Sequence, residues 1–224
     1  MPEITTSELV AAFSDDEAIA YGDSYIEALL KELTRYTDRM GRLLIELVLF
    51  FFAYLLVRQP GITEIIIGPI KVSDLSMIHK ILPIVIAYIY FDLAVTTGMW
   101  DAKWDVYSET FEALYPTLHM YGLHSYISPT SILGDAPWLT NIWGETNPTL
   151  ERISDKLQKV HYRVFQFAPI PISIWIGYDL QARYGLTDPL VLISLGVSGI
   201  LVIQATIHII AYIYRQYRQA EIAS

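Results

Sequence analysis

Three ionisable side chains stand inside runs that are otherwise almost free of charge: Glu46 in LLIELVLFFFAYLLV, Asp92 in the run 75–98, and His208 in the run 190–214. A charge in hydrocarbon is costly and persists only beside a partner or water, so such groups are the first candidates for handling ions or protons. Tyr88 precedes Asp92 by one helical turn, a spacing that would allow a hydroxyl–carboxylate bond. His208 is of the one residue type whose ordinary titration falls between about pH 5 and 8. Interhelical bonds, or a reach to the headgroups, would satisfy the same three groups without any chemistry. Asp179 closes another apolar run and reads as interfacial.

The last run carries a second pattern. Ser194, Ser198, Leu201, Ala205, His208, Tyr212 and Arg215 recur at alternating spacings of four and three, with Gln204 one turn before His208. On a helix this is one seam, and it is mostly small or polar. Small residues let membrane helices approach closely and hydroxyls bond across the contact; the same stripe would also suit the wall of a water-filled pathway. Gly196-x-x-Gly199 and Ser173-x-x-x-Gly177 offer further close-packing surfaces.

Trp100, Trp104, Tyr107 and Phe111, continued by Leu114 and Leu118, mark one face of another helix, with Asp101, Asp105, Glu109 and Glu112 on its other faces. A helix lying on a membrane surface usually carries Lys or Arg on its polar side. This one carries acids, so its aromatic stripe is expected to pack on protein, in its own chain or in a partner.

Known catalytic signatures are missing. The chain has no cysteine, hence no thiolate metal site, Cys nucleophile or disulfide framework. Its five histidines form no HExxH or Glu-x-x-His pair, and no GxSxG elbow, Walker loop or GxGxxG run occurs. Neither a metal nor a cofactor is expected.

The elements that must position these residues follow from the apolar runs. A bilayer-crossing helix needs about 20 mostly apolar residues. Four segments qualify, within 23–58, 75–98, 161–181 and 189–214. The first is expected as one long helix that starts at the capping box Ser24-x-x-Glu27 and stops at Pro60-Gly61. The second should close at Gly98 and kink at Pro83; Pro169 and Pro171 should bend or break the third. Asp188-Pro189 is an N-cap followed by proline at the first helical position of the fourth. The acidic segment 1–22 holds two more capping-box patterns and is expected to form two small helices. Residues 59–74 form an outer loop, in which ITEIIIGPIKVS could be a small hairpin or extended. Residues 99–160 are a cytoplasmic insert: the aromatic helix, an irregular loop over 121–143, and a helix after Asn147-Pro148 that runs into the third span. Residues 215–224 are a cytoplasmic tail.

Eleven of the fifteen Lys and Arg residues lie before the first span, between the second and third, or after the fourth; only Arg58, Lys71, Lys80 and Arg183 lie on the other side. Cytoplasmic loops carry the excess of positive charge, so both termini are expected inside, in the plasma (cell inner) membrane.

Composition agrees. Of 224 residues, 53% are hydrophobic and 17% charged, with mean hydropathy +0.37, against about 25% charged in a soluble domain. The net charge of −9 and the lack of a basic patch exclude nucleic-acid binding. Residues 1–22 contain five acids and no base, unlike a secretory or mitochondrial leader. The fold expected is an all-α, four-span membrane bundle with cytoplasmic helical extensions, in contact with the lipid bilayer. Function is expected to be that of a homo-oligomeric channel or pore, cation-conducting and gated through those helices, with Glu46, Asp92, Ser194, Ser198, Gln204, His208 and Tyr212 along the path. One alternative is a non-conducting anchor that binds a protein partner through Trp100, Trp104, Tyr107 and Phe111; another is an intramembrane enzyme.

Overall fold

The structure is a computed structural model and describes residues 16–59, 65–67, 70–72, 75–120 and 167–222. The expectations for 1–15, for the loop over 121–143 and for the helix after Asn147-Pro148 lie outside these residues.

The chain is predominantly helical. Helix α1 runs over Asp16–Val57, α2 over Leu75–Leu114, α3 over Pro116–Met120, α4 over Pro169–Tyr184 and α5 over Pro189–Ile222. Between α1 and α2, strands β1 (Ile65–Ile67) and β2 (Ile70–Val72) pair antiparallel, with Ile65 opposite Val72 and Ile67 opposite Ile70. The all-α description holds apart from this short hairpin, one of the two forms expected for ITEIIIGPIKVS, which β-branched residues favour. Among the described residues three helices are long and apolar enough to cross a membrane: Tyr21–Val57 within α1, Leu75–Leu114, and Pro189–Tyr214 within α5. Helix α4 has 16 residues.

Local chemistry sets the helix ends. Arg58 and Gln59 close α1 with backbone bonds to Tyr54 and Leu56, and Pro60, which has no N–H, prevents continuation. Helix α2 does not stop at Gly98 as the sequence suggests. Gly98 has open space around it and no positive φ, so it is carried as an ordinary helical residue and α2 is continuous for 40 residues. Pro169 and Pro171 lie in the first turn of α4, where the missing N–H has no intrahelical partner to lose; a bend or break upstream of them would fall on 161–166, outside the described residues. Gly185, at φ 75°, ends α4 and donates its N–H to Gln181 O. Asp188 caps α5, its Oδ1 accepting from Leu190 N at 2.9 Å.

The residues fall into two compact units, Met1–Gly41 with Thr96–Tyr162, and Arg42–Val95 with Arg163–Ser224. In the first, Ile26, Leu29 and Leu33 of α1 form a core with Tyr107 and Phe111 of α2, flanked by Trp100 and Trp104. In the second, one core joins Tyr54, Leu82, Ile86, Ile176, Leu180 and Val191, and another joins Tyr90, Ala94, Ala205 and Ile209.

Candidate functional site

The polar residues named from sequence separate into those inside the second unit and those on its outer surface. Ser194 and Ser198 are buried, at 1% and 8% exposure, and Ala205 is fully buried. Ser198 Oγ donates to Ser194 O at 2.5 Å, which satisfies the hydroxyl within its own helix. This half of the seam packs against the chain itself. Gln204 and His208 are exposed, and Tyr212 is half-buried. The inward face of α5 follows the 3.6-residue period through Val191, Ser194, Ser198, Ala205 and Ile209 and so drifts away from a strict heptad. That drift turns His208 outward, where its ring lies 6.0 Å from Phe91.

Glu46 is exposed on an apolar surface beside Ile45, Val48, Leu49 and Phe52. Asp92 is half-buried and has an interaction partner, but not Tyr88, whose ring is 56% exposed; the expected hydroxyl–carboxylate bond is not formed. Leu47 packs against the cluster of Tyr90, Ala94, Ala205 and Ile209. Glu46, Asp92 and His208, each adjacent or close in sequence to members of that contact, therefore share one layer of the unit.

The four aromatic residues of the insert lie in the core of the first unit. Tyr107 is fully buried, Phe111 is 4% exposed and Trp100 stacks on Trp104 at 5.5 Å. Trp100 Nε1 donates to Thr37 Oγ1 at 3.1 Å, and Lys103 pairs with Glu32 at 2.7 Å. Tyr115 donates to Asp23, a bond that holds its hydroxyl above the usual phenol range. Of the two readings of that stripe, the structure fits packing within the chain.

Sequence reasoning missed the densest polar cluster, which belongs to the second unit. Tyr54, fully buried, donates its hydroxyl to Asp179 Oδ2 at 2.9 Å. The other oxygen, Oδ1, accepts from Arg58 Nε at 3.0 Å and from Arg183 Nε at 3.1 Å. His79 is 1% exposed; its Nδ1 meets the Tyr184 hydroxyl at 3.1 Å, and its Nε2 has no hydrogen bond and faces Asp179 Oδ2 at 3.6 Å. Arg58 lies over the Trp175 ring at 4.8 Å and Lys80 over Tyr184 at 4.6 Å. Lys80 also pairs with Asp188 Oδ2 at 2.5 Å, and that bond, followed by the N–H groups it caps, holds the Asp188 carboxyl below the usual range. Two signals for this cluster were present in the sequence. Tyr54 and Arg58, and Asp179 and Arg183, are each one turn apart at the end of an apolar run.

Among the described residues, no three carboxylates or imidazoles converge as a metal site would need. No known protein family, curated protein or solved structure matches the chain.

Proposed function

We propose that this chain is a four-span membrane protein, both termini cytoplasmic, that assembles with copies of itself into a cation-selective channel. The fourth span is the segment 161–181, to which α4 belongs. The observation that carries the reading is the exposure of Glu46, Gln204 and His208 on an apolar surface. A carboxylate facing lipid is expensive, and a neighbouring copy relieves that cost by enclosing it with water or a partner.

Helix α5 offers the contact. Ile193, Gly196, Ile200, Ile203, Ile207, Ile210 and Tyr214 recur at alternating spacings of three and four, and all are exposed. This is a heptad ridge, and isoleucine at both its positions favours assemblies above the dimer. In this arrangement Ser194 and Ser198 are packing groups, and the path runs past the layer of Glu46, Asp92 and His208. The acidic balance favours cations.

The test is native mass spectrometry of the purified protein followed by ion flux into liposomes. A ring of three or more copies that conducts, with flux lowered by Glu46→Gln and by His208→Ala, supports the channel. A silent monomer refutes it and leaves the membrane-anchor reading. Because the chain has no native cysteine, single cysteines at Gln59 and Ser224 report orientation by labelling in sealed vesicles.

A further inference from the structure

Around Asp179 the charges do not cancel. One carboxylate serves two guanidinium groups, both bound through Nε to the same oxygen, while Lys80 and Asp188 neutralise each other. Among the described residues the cluster keeps an excess positive charge, where α1, α2, α4 and α5 meet. Each fork also keeps most of its N–H donors. Arg183 uses Nη1 on the Arg58 carbonyl at 2.9 Å, and among the described residues nothing accepts from either Nη of Arg58 or from Nη2 of Arg183. These donors are reachable, since the two side chains are 39% and 36% exposed whereas Asp179 is 8% exposed.

Both forks are fixed by that geometry. Sharing one oxygen sets them side by side, the Arg183 bond to the Arg58 carbonyl fixes one edge, and the Trp175 ring supports the Arg58 plane. Paired, pre-oriented guanidinium forks suit tetrahedral oxyanions, which accept two parallel N–H bonds from each fork. Trp175 lies under Arg58, and Tyr184 lies against His79 and Lys80 of the same cluster, aromatic residues of the kind enriched at headgroup depth.

We propose that Arg58 and Arg183 form a binding site for a phosphate group, with buried Asp179 as the internal counter-charge that holds the two forks and sets their affinity. The phosphate can belong to a lipid headgroup or to a free anion; the site recognises the chemistry they share. Asp179 is a positioning residue and does not touch the ligand.

The experiment uses the full chain in a neutral detergent and reads its thermal midpoint and tryptophan fluorescence. It is titrated separately with short-chain phosphatidylglycerol, short-chain phosphatidylcholine and inorganic phosphate. Wild type is expected to be stabilised by at least one of these, at least tenfold more weakly after Arg58→Gln or Arg183→Gln. Arg35→Gln, which removes the same charge from an exposed position in the first unit, should bind as wild type does. Stabilisation by the lipids alone assigns the site to headgroups; stabilisation by inorganic phosphate, with competition against lipid, assigns it to a soluble anion. If the Arg variants fail to fold, Asp179→Asn decides, because loss of the counter-charge should tighten phosphate binding several-fold. The proposal is overturned if no phosphate species stabilises wild type, if the Arg variants bind unchanged, or if folded Asp179→Asn binds no more tightly.

Discussion

Removing a single oxygen tests whether the Asp179 cluster holds the helices together. In Tyr54→Phe the ring stays in its fully buried place and only the hydroxyl at 2.9 Å from Asp179 Oδ2 is lost. That leaves Oδ2 facing the His79 nitrogen at 3.6 Å, beyond hydrogen-bond distance. Interhelical hydrogen bonds in membrane proteins average about 0.6 kcal/mol and reach about 1.7, while bonds to a charged group contribute about 1.5–3 kcal/mol. With a buried carboxylate as acceptor, the upper part of the membrane range applies, and Tyr54→Phe should cost about 1.5 kcal/mol. Asp179→Ala removes the same bond, but its two arginines are over a third exposed and can turn to solvent or headgroups, which limits the rest of its cost. A double-mutant cycle between Tyr54→Phe and Asp179→Ala, followed by SDS-induced unfolding in micelles, should give a coupling energy of about 1–1.5 kcal/mol. Tyr88→Phe, at an exposed ring without that bond, is the control and should stay within about 0.5 kcal/mol. Additive behaviour within about 0.5 kcal/mol, or a Tyr54→Phe protein as stable as wild type, would show that the bond does not support the fold.

In the first unit, Phe111→Ala should cost about 3–5 kcal/mol and Val106→Ala, at 37% exposure, much less; equal losses in thermal unfolding would contradict the core described above. A Cβ on Gly177 would meet Leu195 Cδ2 at 3.3 Å, whereas one on Gly196 meets nothing within 4 Å. Gly177→Leu should therefore destabilise the α4–α5 contact by about 1–3 kcal/mol. Gly196→Leu should leave the protomer intact and, on the proposed ridge, change the oligomer seen by native mass spectrometry. The Asp188 carboxyl titrates below its usual range, so what it adds to folding is complete above that range and fades as the pH falls through its lowered value, below about pH 4. Asp188→Asn should flatten the acid limb of a stability-against-pH curve, and an unchanged limb would show that the carboxylate does not set it.

Much of the scaffold was legible because it follows from local rules. The Asp188-Pro189 cap, the stop before Pro60-Gly61 and the one-sided aromatic stripe through Trp100, Trp104, Tyr107 and Phe111 rest on residues within a few turns of one another. Gly98 misled because a glycine at the end of an apolar run looks like a terminator, whereas α2 carries it through as an ordinary helical residue without a positive φ. The orientation of α5 was harder: a strict heptad groups His208 with Ser194 and Ser198, while the straight helix carries it round to the outside. The cluster at Asp179 was the least legible. Its bonded partners lie as much as 125 residues apart, and no spacing rule reports a contact between separate helices.

The same long separations have a consequence for how the protein is made. Arg58, His79 and Lys80 are synthesised well before the residues they meet. Lys80 waits 108 positions for Asp188, and Arg58 waits 121 for Asp179. Until then these cations lack the carboxylates they pair with in the finished structure. The trailing half carries the carboxylates that complete them. The second unit thus completes its polar cluster only after α4 and α5 are made, whereas the core of Ile26, Leu29, Leu33, Tyr107 and Phe111 in the first unit lies wholly within the earlier part of the chain.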